Sequence, residues 1–372
     1  MSGQLRVLIC SGATGGHFYP AFCVAQAFKT IHAETEVHIL LNKIPEFISK
    51  LMQGESMTVH AVRLSAPRNL ISWKGIICLL EWLQGFIRSI VLMVRVKPKL
   101  IIGFGSFGSV ITALLGVFSG IPVLIHEQNA VAGRANQFLG IWADRIAVSF
   151  PETDAVWPKN KVFWSGFPVR KSFIQARERY EKASKADQSF TILVFGGSQG
   201  AKRINREFLG AMGLFSFAEK SEVAVIHITG NDDVQAFRKA YEHLGICAEV
   251  SQYSEEIAEL FSRADLVVAR SGAGTVFELV TFAKKSILIP YPHAQGHQKN
   301  NAEWMVRFGS AMMIEESDLT PERLKDAILD FKNNHFNQQK INNNTSRLRN
   351  DEAAETIVQA GWDLICQKKP MN

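Results

Sequence analysis

Leu5-Arg6-Val7-Leu8-Ile9-Cys10 runs straight into Ser11-Gly12-Ala13-Thr14-Gly15-Gly16-His17, and a helical pattern opens at Pro20. An apolar run closed by a glycine turn and followed by a helix reads as a strand buried on both faces that feeds a βαβ unit. The succession returns twice. Leu100–Ile102 leads into Gly103-Phe104-Gly105-Ser106-Phe107-Gly108, and Thr191–Phe195 into Gly196-Gly197-Ser198-Gln199-Gly200. Strand, glycine turn and helix start together aim backbone N–H groups at whatever sits over the helix end, so each turn is a candidate phosphate cradle.

Further strands are expected at Val37–Leu41, Thr58–Leu64, Val123–His126 and Ile146–Ser149, and in the second half at Val223–Ile228, Leu266–Ala269 and Ser286–Ile289. Alternating with helical patterns, they predict an α/β chain with two parallel sheets. At 372 residues the chain exceeds what one core usually holds, so two domains are expected. The link falls in Lys159–Arg170, which carries Gly166 and Pro168. This divides the chain into residues 1–165, 166–345 and a C-terminal segment 346–372. A polar Asn333–Asn344 stretch precedes that segment, whose helical pattern over Asp351–Cys366 is long enough to cross back onto the first domain.

The net charge of +6 is unevenly placed: residues 1–165 carry 15 Lys and Arg against 9 Asp and Glu, whereas residues 166–372 carry 26 of each. The first half therefore offers a surface to something anionic, a lipid headgroup or a phosphorylated substrate. No nucleic-acid motif accompanies it, so no nucleic-acid partner is expected. The five cysteines are unclustered and form no CxxC pair, which reads as reduced thiols rather than a disulfide framework or a zinc site. With no basic-then-apolar leader ahead of Leu5, export is not expected.

Gly75–Val94 is apolar but interrupted by Glu81, Gln84 and Arg88, with Arg95 following. A charge at mid-bilayer costs about 3 kcal/mol even on a lenient scale, so the segment is not read as a membrane span. Two readings remain open. It is a helix packed on the sheet, or a helix whose Trp73, Trp82 and Phe86 face dips into a membrane interface beside Arg68, Lys74 and Arg95.

The first glycine turn has the wrong spacing for a dinucleotide fingerprint, and the second strand ends at Leu41-Asn42-Lys43 without a carboxylate, so a nicotinamide enzyme is disfavoured. Arg270-Ser271-Gly272-Ala273-Gly274-Thr275 leaves a strand and opens a helix carrying Glu278. A carboxylate there can accept from both hydroxyls of a ribose, although a glutamate near a helix start is also favoured by the macrodipole. Pro290-Tyr291-Pro292-His293-Ala294-Gln295-Gly296-His297-Gln298-Lys299-Asn300-Asn301 follows the next strand, dense in amides and imidazoles suited to sugar hydroxyls.

Taken in order, Thr14-Gly-Gly-His17, Gly103-Phe-Gly105, His126-Glu127-Gln128-Asn129, Gly196-Gly-Ser-Gln-Gly-Ala201, Arg270-Ser-Gly-Ala273 with Glu278, and Gln298 with Asn301 resemble MurG, the N-acetylglucosaminyltransferase family of peptidoglycan synthesis. The resemblance spans essentially the whole chain. It implies a GT-B fold: two Rossmann-like domains with parallel sheets facing across a cleft, and a C-terminal helix returning to the first. It implies inverting transfer of N-acetylglucosamine from UDP-GlcNAc to the 4-hydroxyl of undecaprenyl-diphosphate-linked muramyl pentapeptide, by a peripheral protein on the cytoplasmic face of the bacterial inner membrane. An anionic membrane surface is an implied partner, as are other cell-wall synthesis proteins.

The resemblance also assigns sites. Thr14, Gly15, Gly16, Gly105, His126 and Asn129 would face the acceptor. Ser198, Gln199 and Asn205 would lie near the donor diphosphate, Arg270, Ala273, Gln298 and Asn301 around the donor and Glu278 on the ribose, while Arg170, at the domain junction, would bind the donor and stabilise the charge on the departing diphosphate. Inversion needs a base for the acceptor proton. His17 is the first candidate, because an ordinary imidazole pKa of about 6.5 leaves it a neutral base at cytosolic pH, although the same residue could serve only to shape the turn. Glu127 is the alternative base. The chain contains no Asp-x-Asp, so no metal and no cofactor are expected.

Some positions depart from the family pattern. Ala13 and Ser106 stand where it usually has glycine, Phe107 where it has tyrosine, Phe167 asparagine, Gly274 leucine and His297 glutamine. A related enzyme with another acceptor, a UDP-sugar epimerase on the same scaffold, and a non-catalytic interaction protein are the rival readings.

Overall fold

The computed structural model describes residues 5–63, 73–153, 157–182, 189–197, 200–293, 296–333 and 338–367, with backbone alone at 73–80, 107 and 108. The chain forms two compact units, Met1–Val169 with Asn350–Asn372, and Arg170–Arg349.

In the first unit, seven parallel strands stand in the order β3-β2-β1-β4-β5-β6-β7. They are β1 (Arg6–Cys10), β2 (Glu36–Leu41), β3 (Thr58–Ala61), β4 (Leu100–Gly103), β5 (Val123–Glu127), β6 (Arg145–Val148) and β7 (Val162–Trp164). Central β1 and β4 pair Val7 with Leu100 through Cys10 with Gly103. Their Val, Leu and Ile side chains are buried on both faces, as expected of a parallel sheet covered by helices. One face packs on helix Gly15–Ile31 and on helix Ala353–Gln367, whose Ile357, Val358 and Leu364 join the core of Phe18, Val24 and Phe28. Gly361 lets that last helix close in: a Cβ there would lie 2.6 Å from Leu100 Cδ2. Trp362 stacks on His32 with ring centroids 3.9 Å apart.

The opposite face is covered by helices Trp73–Val96 and Phe107–Phe118. Leu92 and Val96 are buried with Gly85 and Ser89, and the Ser89 hydroxyl accepts from Thr112 at 3.0 Å. The other side of the same helix leaves Leu83, Phe86, Ile87, Ile90, Val91 and Val94 exposed at helical spacing, Val94 by 64%. The inner side of the helix is thus packed on the sheet, and the outer side is an exposed apolar stripe. Trp82 corrects one detail, since it packs against the core rather than joining the exposed stripe. The Trp73 and Lys74 side chains and Arg68 lie outside the described residues. No helix among the described residues is long and apolar enough to cross a membrane.

The second unit has six parallel strands in the order β10-β9-β8-β11-β12-β13. They are β8 (Phe190–Phe195), β9 (Val223–Ile228), β10 (Cys247–Ser251), β11 (Leu266–Ala269), β12 (Lys285–Leu288) and β13 (Ala311–Met313). This is the doubly wound order, and β3-β2-β1-β4-β5-β6 of the first sheet repeat it, with β7 added at one edge. In such sheets the strand order reverses between the first and fourth strands, whose connections leave to opposite sides and open a crevice beyond their carboxyl ends. Each unit therefore has one predestined place for a ligand: the loops after β1 and β4, and those after β8 and β11.

Candidate active site

In the first unit the turn after β1 delivers His17 to the crevice. Thr14 is the N-cap of helix Gly15–Ile31, yet its side chain makes no capping bond and the first turn carries no acidic residue. Thr14 and Gly16 are exposed, and a Cβ at Gly16 would meet nothing within 4 Å, so the helix start is open to an anion. The His17 ring lies between two glycines: a Cβ on Gly12 would sit 3.2 Å from its Cδ2, and one on Gly105 3.4 Å from its Nδ1. Gly105 also has φ +74°, which glycine alone adopts without strain.

His17 Nδ1 is 2.9 Å from the carbonyl oxygen of Phe104. A carbonyl only accepts, so Nδ1 carries the proton and Nε2 keeps its lone pair. The same carbonyl accepts from Gln128 Nε2 at 3.2 Å, which ties the turn after β4 to the end of β5.

Below this lies a buried polar network. Glu127 Oε1 accepts from the backbone N–H of Asn129 at 2.9 Å and from its Nδ2 at 3.0 Å. Oε2 accepts from Gly133 N–H at 3.0 Å and from Asn136 Nδ2 at 2.8 Å. Four donors leave the carboxylate no lone pair for a substrate proton, and the residue is 1% exposed. The expectation of Glu127 as alternative base is corrected accordingly: it holds the loop after β5. His126 is fully buried beside Ser149 Oγ at 3.1 Å, and burial pulls its pKa down to about 3, with the nearby His17 adding to the effect. It is a neutral part of the scaffold, and Asn129 is tied to Glu127, so for both the geometry argues for support rather than direct contact with an acceptor. Gln128 and Asn136 escaped the sequence reading. Gln128 lay in plain sight in its motif, but nothing in the spacing says that its amide turns inward.

Ser106 has φ +73° and ψ 147°, a region that costs a residue with a side chain about 1–3 kcal/mol. Its Cβ is the atom that a side chain on Gly12 would meet, at 3.1 Å. Ser106→Gly is therefore expected to stabilise the protein by about 1–2 kcal/mol, read as a higher midpoint in thermal unfolding. An unchanged or lower midpoint would show that the strain is absent.

In the second unit, Gly196 and Gly197 follow β8, and a Cβ on Gly196 would lie 2.2 Å from the Ala201 backbone nitrogen, so the loop turns back on itself tightly. Ser198 and Gln199 lie outside the described residues. Asn205 is buried, its Nδ2 donating to Thr229 O at 2.9 Å and Asp232 Oδ2 at 2.8 Å, which fixes this loop to the one after β9.

After β11, Gly272 caps helix Ala273–Phe282 without a side-chain bond, again leaving first-turn N–H groups open. Arg270 donates from Nη1 to the carbonyls of Ile289 and Pro290, both at 3.2 Å, pairs with Glu316 and lies over the Tyr291 ring at 5.3 Å. Gln298 Oε1 accepts from Tyr291 N–H at 2.9 Å, and Asn301 Nδ2 donates to Ser271 O at 3.2 Å. Arg270, Gln298 and Asn301 thus brace the loops after β11 and β12. Glu278 lies further along the helix and accepts from Arg170 Nη2 at 2.9 Å. Desolvation raises the Glu278 pKa, and the Arg170 guanidinium opposes the rise. Glu316 and Asp232 were not foreseen, because acidic residues far along the chain carry no local signature.

Residues 7–148 match the glycosyltransferase family 28 N-terminal domain and residues 191–357 its C-terminal domain. A protein of Myxococcus xanthus (strain DK1622), named UDP-N-acetylglucosamine--N-acetylmuramyl-(pentapeptide) pyrophosphoryl-undecaprenol N-acetylglucosamine transferase, is 33% identical over 369 residues, covering 98% of this chain and 94% of its own. This chain belongs to the MurG family of glycosyltransferases. Among solved structures, MurG of Acinetobacter baumannii superposes with a TM-score of 0.74 at 25% identity, covering 96% of this chain and 99% of its own. UDP-GlcNAc 2-epimerase of Methanocaldococcus jannaschii shares the fold alone, with a TM-score of 0.61 at 13% identity over 96% of this chain and 99% of its own. The scaffold is therefore wider than the chemistry, and MurG membership rests on the sequence relatives.

Proposed function

We propose that this MurG-family chain transfers N-acetylglucosamine from UDP-GlcNAc to the 4-hydroxyl of undecaprenyl-diphosphate-linked muramyl pentapeptide, with inversion at the anomeric carbon. The chemistry rests on His17, whose Nδ1 proton is committed to the Phe104 carbonyl. The acceptor oxygen attacks the anomeric carbon, the bond from that carbon to the β-phosphate oxygen breaks, and UDP leaves with the electron pair. His17 Nε2 takes the hydroxyl proton. The open helix start at Thr14–Gly16 suits the acceptor diphosphate, and that at Ala273 suits the charge gathering on the departing UDP. Glu278 accepts from the uridine ribose hydroxyls. Asn205, Arg270, Gln298 and Asn301 keep the donor loops in shape, as His126, Glu127 and Asn129 do for the acceptor loops.

The same reading makes the protein a peripheral one at the cytoplasmic face of the bacterial inner membrane. The exposed stripe from Leu83 to Val94 and the positive excess of residues 1–165 support it. Phe118, Ile141 and Trp142 add further exposed apolar surface on this unit. The test presents a short-chain acceptor lipid in anionic vesicles with radiolabelled UDP-GlcNAc and a chelator. Label is expected in a disaccharide lipid, and protein is expected to sediment with the vesicles. Saturable UDP-GlcNAc binding without product would reject this acceptor, and absence of binding would reject the donor. Product without sedimentation would reject only the membrane role.

A further inference from the structure

We infer that Arg170 serves the donor site through Glu278, as the positioning residue that keeps the ribose-binding carboxylate charged and aimed, rather than by touching the donor diphosphate. The inference rests on the reading of Glu278 as the ribose ligand.

The geometry is that of a built pair. Arg170 lies immediately ahead of helix Lys171–Lys182, and its carbonyl accepts from Phe173 N–H at 2.9 Å, so its backbone is anchored. The guanidinium lies 4.6 Å from the centre of the Phe173 ring, a cation–π contact that holds it in place. From there Nη2 donates to Glu278 Oε1 at 2.9 Å, with the two side chains only 23% and 17% exposed.

Two hydroxyls that both donate need an acceptor on each side, which an ionised carboxylate supplies and a protonated carboxyl does not. Burial works against the ionised form, and Arg170 is the counter-charge in contact with it. The bond to Arg170 engages Oε1. Among the described residues no bond reaches Oε2, so the carboxylate keeps one lone pair on Oε1 and both on Oε2 for the two hydroxyls.

The test measures binding of UDP, uridine and 2′,3′-dideoxy-UDP to the full chain by calorimetry, for the wild type, Arg170→Gln and Arg170→Lys. If Arg170 acts through Glu278, Arg170→Gln weakens UDP and uridine by the same factor, about 10–100-fold, and leaves 2′,3′-dideoxy-UDP unchanged. That loss relative to the wild type deepens as the pH falls from 8 to 6. Arg170→Lys, which keeps the charge, restores most of the affinity. Unchanged dideoxy-UDP binding also shows that the variant is folded. The opposite pattern, with UDP and dideoxy-UDP weakened and uridine untouched, puts Arg170 on the diphosphate and overturns the inference while leaving the nucleotide site standing. Equal loss of all three ligands, in Arg170→Gln and Arg170→Lys alike, overturns it as a general structural effect. A wild type that binds neither UDP nor uridine overturns the underlying reading as well.

Discussion

His17→Ala is expected to keep the affinity for UDP-GlcNAc and to lower kcat by about 10²–10⁴-fold, the range that a positioned general base supplies. The substitution is clean for a structural reason. It removes the donor from Nδ1 to the Phe104 carbonyl, but Gln128 Nε2 still donates to that oxygen at 3.2 Å, so no buried acceptor is orphaned. The glycines on either side of the ring lose a neighbour rather than gain a clash. Thermal stability is therefore expected to stay within about 1 kcal/mol of the wild type. Glu127→Gln is the contrasting case. An amide there turns an NH₂ toward donors that now meet an oxygen, and stability falls by about 1–3 kcal/mol together with activity. Steady-state kinetics and thermal unfolding on both variants separate the roles. A His17→Ala enzyme within a few-fold of wild-type turnover would remove His17 as the base.

Acidification from pH 7 to pH 5 is expected to cost each unit about 2 kcal/mol through one buried histidine. Burial pulls His126 in the first unit and His227 in the second down to about 3. In the unfolded chain both return to about 6.5. Below pH 6.5 the unfolded state binds these protons and the folded state does not, so stability falls as pH falls, by about 1.4 kcal/mol per unit per histidine until the folded pKa is reached. His227 Nδ1 is 2.8 Å from the Tyr241 hydroxyl and its Nε2 has no hydrogen-bond partner among the described residues, so nothing nearby rewards a charge. Urea unfolding at the two pH values measures the cost. Proton NMR of the imidazole C2–H signals assigns it, because neither ring should titrate between pH 8 and pH 5. An unchanged urea midpoint, or rings that titrate near 6.5, would defeat the prediction.

The sequence was most transparent where burial on both faces leaves an unbroken apolar run. The central strands β1, β4, β8 and β11 and the turns behind them are legible to within a residue or so. Three strands were missed, and each lies at a sheet edge. β10 is Cys-Ala-Glu-Val-Ser, half of it facing water, and β13 is Ala-Met-Met, which reads as helix. β7 hides in Lys159–Arg170, where the surrounding prolines and glycine suggested only a link. The site divides in the same way. Glycine turns and His17 are written in local spacing. Which polar side chains reach outward and which hold other loops depends on contacts such as Asn136 with Glu127 or Arg270 with Glu316, and no motif records a direction.

The second unit is enclosed within the chain of the first: the backbone leaves at Val169 and returns at Asn350. During synthesis, all of Arg170–Arg349 emerges before the helix that seals the first core. At about 5–20 residues per second, that is a wait of about 10–40 s. Throughout it Leu100 and Phe28, which Gly361 of the sealing helix will cover, stay uncovered on an otherwise finished sheet. The later-made unit is the first to be complete, and the nascent protein is most exposed to aggregation, proteolysis and chaperone capture on the half that was made first.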